Sequence, residues 1–151
     1  MSTTPVLSLR EINMANFHKC IHLSVAEDQR GFVASNMYSL AEAKADDVSN
    51  PLAIYADETM VGFTMYWFDA EHNKGYIDRL MVDQRYQGQG YGRFAMTEVV
   101  RRLKGNPGCQ RIQISFHPDN QTAEGLYYSL GFRRNGEMVE GEVVMLLELA
   151  G

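Results

Sequence analysis

Gln87-Gly88-Gln89-Gly90-Tyr91-Gly92 joins a strand-like run, Gly75-Tyr76-Ile77-Asp78-Arg79-Leu80-Met81-Val82, to a segment in which Phe94, Ala95, Val99, Val100 and Leu103 recur at helical spacing. Glycines at alternate positions let the backbone adopt conformations closed to other residues and let a ligand approach the amide groups closely. A helix that starts just after them adds unpaired N–H donors and a positive dipole end, so strand, loop and helix together can cradle a phosphate. The plain structural reading is a tight turn. Neither common nucleotide motif fits, because the third glycine, Gly92, falls two positions after Gly90 instead of three, and no Lys-Ser/Thr pair follows.

Working outward, 6–12 reads as a first strand and 13–23 as a first helix capped by Asn13. A short helix is expected over 38–45. Segments 51–56 and 60–67 form a hairpin around Asp57-Glu58-Thr59, and Asn73-Lys74-Gly75 turns the chain into the strand over 76–82. After a helix over 91–104, Asn106-Pro107-Gly108 breaks the chain, and Arg111-Ile112-Gln113-Ile114-Ser115-Phe116 alternates with the period of a strand. Two more strands, over 132–138 and 142–149, close the sequence. Between them and the strand at 111–116, Asn120-Gln121-Thr122-Ala123-Glu124-Gly125-Leu126-Tyr127-Tyr128-Ser129-Leu130-Gly131-Phe132 opens on a helix-capping Asn and closes on a helix-terminating Gly.

These two motifs resemble those of the GNAT family of N-acetyltransferases. Its acetyl-CoA loop has the form Q/R-x-x-G-x-G/A, matched by Gln87, Gly90 and Gly92. Its later helix carries N-x-x-A-x-x-L-Y-x-x-x-G-F, matched by Asn120, Ala123, Leu126, Tyr127, Gly131 and Phe132. The resemblance covers 50–148 and extends more weakly to the N-terminus. Tyr76-Ile77-Asp78-Arg79, the run Asp83 to Gly88, Val61-Gly62-Phe63-Thr64-Met65-Tyr66 and Asn135-Gly136-Glu137 look more narrowly like bacterial spermine/spermidine acetyltransferases. The implied fold is one α/β domain over 1–151, with a central, mostly antiparallel sheet, flanking helices, and strands holding Met81 and Ser115 that diverge in a V.

Composition agrees with an ordinary globular domain. The chain has 151 residues, 45% hydrophobic and 22% charged. No apolar run approaches the roughly 20 residues that span a bilayer, and the N-terminus lacks a signal-like organisation, so a cytoplasmic protein without membrane partners is expected. Cys20 and Cys109 are too few for a disulfide framework and read as buried free thiols. A net charge of −5 and a pI near 5.3 disfavour nucleic acid. Residues 27–58 hold seven acids against two bases, whereas residues 84–104 hold five bases against one acid. The basic half suits a polyanionic cofactor and the acidic half a polycation; both also read as solvated helix faces.

The resemblance implies acetyl transfer from acetyl-CoA to an amine. It lays the pyrophosphate on Gly88, Gln89, Gly90, Tyr91, Gly92 and Arg93 with Gln87, and the pantetheine along Leu80, Met81 and Val82, with the Met81 N–H as donor to the thioester carbonyl. Asn120 touches the pantetheine, caps its helix, or does both. Tyr127 stands beside the departing sulfur. A phenol of pKa about 10 facing a thiol of about 8.5 makes full proton transfer uphill by roughly 2 kcal/mol, so a hydrogen bond to the thiolate comes before general-acid catalysis. An amine of pKa about 10.4 must lose a proton, for which Asp78, Glu27 and Asp28 are candidate bases, Asp78 foremost. Glu27, Asp28, Tyr38, Trp67 and Asp78 have the chemistry to hold ammonium groups and methylenes. No metal is needed; His18 and His22 share a helical face but read as ordinary histidines. The acceptor is expected to be a polyamine, with a peptide or aminoglycoside amine, or a noncatalytic acyl-CoA sensor, as alternatives. The family commonly dimerises.

Overall fold

The computed structural model describes residues 3–149. Seven strands form one sheet in the order β1-β2-β3-β4-β5-β7-β6: β1 Leu7–Glu11, β2 Asn50–Ala56, β3 Thr59–Asp69, β4 Lys74–Val82, β5 Arg111–Phe116, β6 Arg133–Val139 and β7 Glu142–Glu148. Every neighbouring pair is antiparallel except β4 and β5. That parallel pair needs a crossover, which α3, Tyr91–Lys104, supplies. The remaining helices are α1 Phe17–His22, α2 Asn36–Asp46 and α4 Gln121–Ser129.

Each face of the sheet has its own core. Met96, Val99 and Leu103 of α3 and Tyr127 of α4 pack with Ile77, Ile112, Ile114 and Phe132 on one side. Cys20 of α1 and Ala43 of α2 pack with Phe63, Met65 and Met81 on the other. Burying a side chain such as Phe63 or Phe132, both fully inaccessible, stabilises the fold by about 1.5–3 kcal/mol.

Two features of β4 position everything that follows. Its pairing with β5 covers only Lys74 to Ile77 against Arg111 to Ile114, although β4 runs on to Val82 and β5 to Phe116, so the two strands part. This is the V implied by the family resemblance. The second feature is a bulge: Met65 pairs with Arg79 but Tyr66 with Ile77, leaving Asp78 unpaired. The extra residue reverses the side-chain alternation. Ile77 and Leu80 therefore share the α3 face, while Met81 joins the α1/α2 face.

Two local expectations need correcting. The first helix begins at Phe17 with Asn16 at its cap position, because Asn13 instead closes a tight turn, its carbonyl accepting from the N–H groups of Asn16 and Phe17. Cys20 is buried as expected, but Cys109 is only partly so.

Candidate active site

Two side chains, Asp83 and Gln87, hold the chain that leads into the glycine loop. At the end of β4 the buried Asp83 carboxylate accepts from the N–H of Ser24 and from the N–H and Nε of Arg85, at 2.8–3.0 Å. Burial alone would raise this carboxyl, but those donors hold it below its ordinary value. Further along, Gln87 Nε2 donates to the Val82 carbonyl at 2.9 Å and to Gln29 Oε1 at 2.8 Å. Gly88 and Gly90 then take φ of 80° and 85°, the left-handed region, and a Cβ built on either meets nothing within 4 Å. Their requirement is conformational, and the space above them is open. Gly92 differs: its φ is ordinary, and a Cβ there would make van der Waals contact with Leu126 at 3.7 Å.

A slot of about 320 Å³ runs over this loop, lined by Leu80, Met81, Val82, Gln87, Gly88, Gly90, Tyr91, Gly92, Arg93, Asn120 and Tyr127. Gln89 is not among its walls; its Oε1 accepts from the Tyr91 hydroxyl at 3.2 Å. Asn120 divides its functions between its two polar atoms. Its Oδ1 accepts from the Ala123 N–H at 3.2 Å, capping α4, which leaves the Nδ2 donor for the slot.

The backbone parity of β4 changes one expectation. Asp83 N–H donates to the Val61 carbonyl at 2.8 Å, so the N–H groups of Asp83 and, two residues back, Met81 face β3. Consistently, the Met81 carbonyl oxygen lies 2.5 Å from where a Cβ on Gly62 would stand, inside the β3–β4 ladder. The Met81 amide is therefore spent within the sheet, and the amides of Leu80 and Val82 face the opened gap. Met81 still lines the site, and the amide that faces the gap beside it is that of Leu80.

A second cavity, of about 600 Å³, meets the slot along Leu80, Met81 and Val82 and at Asn120 and Tyr127. Tyr127 is thus at the junction. Among the described residues no buried side-chain N or O lacks a partner, and the Tyr127 hydroxyl has none. It is therefore the accessible tip of an otherwise buried ring, opening into the cavities. Burial, and then the charge of Glu142, push this phenol well above its ordinary pKa, so it is a proton-bearing donor at neutral pH.

Asp78, the bulge residue, lines the second cavity. Burial raises its carboxyl to about 6; the Arg79 charge opposes that shift, and Glu42 and Asp46 add to it. Arg79 is itself fixed, donating from Nε to Ser39 Oγ at 3.1 Å, from one terminal nitrogen to Glu42 at 3.0 Å, and from the other to the Asp78 carbonyl at 3.0 Å. The other residues considered for the acceptor are placed elsewhere. Glu27 and Asp28 are exposed on the 3-10 turn Glu27–Gln29, Tyr38 is exposed on α2, and none of the three lines the cavity. Trp67 stacks on Tyr76 at 4.7 Å and does not line the cavity. Sequence reasoning missed Gln29, Phe32, Ser115, His117, Glu140 and Glu142, all of which line the cavity. Their signal was faint: they come from loops and strand ends remote from either motif.

A mixed sheet split after its parallel pair, with a glycine-loop helix at the split, defines an acyl-CoA-dependent N-acyltransferase fold. The sequence profile of the Acetyltransferase (GNAT) family matches residues 8–132, and the chain belongs to that family. It is an acetyltransferase, and acetyl-CoA is its acyl donor. The chain is 31% identical over 150 residues to a spermine/spermidine N(1)-acetyltransferase of Bacillus subtilis, covering 95% of this chain and 99% of the relative. Among solved structures it is similar to the paia N-acetyltransferase of Thermoplasma acidophilum in complex with coenzyme A, with a TM-score of 0.73 and 17% identity, covering 95% and 99% of the two chains. A spermidine N-acetyltransferase of Vibrio cholerae in complex with CoA and spermine gives a TM-score of 0.73 at 15% identity, covering 93% and 92%. Among the described residues, no helix is long and apolar enough to cross a membrane.

Proposed function

We propose that the chain acetylates a primary amine of a polyamine such as spermidine or spermine by direct attack on the thioester of acetyl-CoA. The observation that carries this reading is the 600 Å³ cavity, where a carboxyl raised to about 6 and further acids stand beside the junction with the cofactor slot. The likeness to a spermine/spermidine acetyltransferase over nearly the whole chain supports the same acceptor.

The pyrophosphate rests on the amides from Gly88 to Arg93, and the pantetheine lies along β4 against the free amides of Leu80 and Val82. Leu80 N–H donates to the thioester carbonyl, whose oxygen gains charge as the tetrahedral intermediate forms. The amine enters from the acceptor cavity as an ammonium. Asp78 takes a proton, either directly or through water. A base near 6 holds only a small fraction of an amine of about 10.4 in the neutral form that attacks; once the C–N bond forms, the nitrogen becomes acidic and gives up its second proton through Asp78 to solvent. Collapse breaks the C–S bond. The thiolate accepts a hydrogen bond from the Tyr127 hydroxyl, whose raised pKa favours hydrogen bonding over complete proton release.

The test offers equimolar spermine, a lysine-bearing peptide and an aminoglycoside with acetyl-CoA and follows each product by mass. Acetylspermine should dominate; preferential turnover of the peptide or the aminoglycoside would overturn the polyamine reading.

A further inference from the structure

The acceptor cavity draws its acids from both arms of the V. Asp78 comes from β4; Glu140 and Glu142 come from the β6–β7 hairpin, more than sixty residues later in the chain. Glu140 and Gly141 turn that hairpin with φ of 50° and 81°, which brings Glu142 to the start of β7 beside the end of β5. There its Oε1 accepts a hydrogen bond from Ser115 Oγ at 3.0 Å, and both residues line the cavity. Glu142 has no cationic partner among the described residues. The one guanidinium in the cavity wall, that of Arg79, is already committed to Ser39, Glu42 and the Asp78 carbonyl.

We infer that Glu142, oriented by Ser115, is a specificity-determining residue: it binds a second ammonium group of the acceptor while the reacting amine lies near Asp78. This rests on the polyamine reading and sharpens it. A half-buried carboxylate in the cavity wall with one neutral donor and no cation keeps acceptor capacity free, and a ligand ammonium supplies the charge that the protein does not. A monoamine engages only the Asp78 end and leaves Glu142 without a cation. A di- or triamine satisfies both ends, so the site selects for charge at a distance from the reacting nitrogen. Glu140, exposed at the rim, is screened by solvent and contributes mainly to attraction from afar.

The experiment compares kcat/KM for spermidine with kcat/KM for a monoamine of similar chain length, in the wild type, Glu142→Gln, Ser115→Ala and Glu140→Gln. The Glu142→Gln change is nearly isosteric, and an unaltered Kd for acetyl-CoA checks that the variant is folded. Wild type should favour spermidine, and Glu142→Gln should lower that preference about tenfold, chiefly through KM for spermidine. Ser115→Ala should lower it less, and Glu140→Gln least, with an effect that fades at high salt. An unchanged spermidine preference in Glu142→Gln overturns the inference and leaves the polyamine reading intact. An effect of Glu140→Gln equal to that of Glu142→Gln also overturns it, in favour of a diffuse acidic field. A wild type without preference for spermidine overturns both.

Discussion

The two sides of the V are built on opposite plans. The proposed cofactor side draws most of its wall from residues 80–93, with Asn120 and Tyr127 added from α4, and in the proposed reading it works chiefly through backbone: the amides of Leu80 and Val82, the glycine loop, and the first turn of α3. The acceptor side is assembled from four distant segments, near residues 29–34, 78–81, 115–117 and 140–142, and works through side chains. A backbone site needs glycines and a helix start at fixed spacing, which leaves a motif in the sequence. Convergence of side chains depends on the fold bringing remote strands together.

The largest effect should come from the acid on the acceptor side nearest the cofactor strand. Asp78→Asn removes the base and should lower kcat/KM for the amine about a thousandfold while leaving acetyl-CoA affinity nearly unchanged. Because Asp78 must be ionised to accept a proton, wild-type activity should rise with pH through about 6, and this limb should vanish in the variant. The same shift sets a stability trend. A carboxyl raised from 3.8 to about 6 keeps its proton more tightly when folded, so its contribution weakens between those values as pH rises and levels off above them. An equal loss of acetyl-CoA binding in Asp78→Asn would break the division between the two sides.

Tyr127→Phe follows, with kcat lowered about a hundredfold by loss of one donor to the leaving sulfur. Its KM for both substrates should change little, as measured by initial rates; unaltered kcat would remove Tyr127 from the mechanism.

Asp83 tests the seam, since it ties the end of β4 to Ser24 at the start of the loop over the acceptor cavity. Asp83→Asn should destabilise the fold by about 2 kcal/mol in urea unfolding. Its carboxyl is held low in the folded state, so the stability it contributes is present above the ordinary carboxylate range and lost as pH falls through the folded value. A variant of wild-type stability would show that the seam carries no energy.

The smallest effects separate conformation from space within the glycine loop. Gly90→Val demands a left-handed backbone from a branched residue and should raise KM for acetyl-CoA about tenfold. Gly92→Ala, with ordinary φ and ordinary contacts, should leave KM within about twofold of wild type. Equal damage from the two would mean that the loop is read by shape alone.

Sequence legibility follows the same division. The strand, loop and helix around Gly88 to Gly92 could be read because local backbone demands and the helical stripe agree. The bulge at Asp78 left only a weak sign, the broken alternation of Ile77, Leu80, Met81 and Val82. Without the bulge, nothing distinguished the Met81 amide from that of Leu80. Charge counting drew attention to residues 27–58, yet Glu27 and Asp28 lie outside the cavity, while Glu140 and Glu142 enter it from the far end of the chain. Helix α1 began late because an asparagine caps turns as readily as helices, and Asn13 and Asn16 could not be ranked from sequence.

The measurement that bears most directly on the whole account is thiol release from acetyl-CoA by the purified protein with and without spermidine, paired with the mass of the amine product. The account predicts release that depends on spermidine and matches, mole for mole, a spermidine carrying one acetyl group. Spermidine-independent release, or tight acetyl-CoA binding with no acetylated spermidine formed, would contradict it.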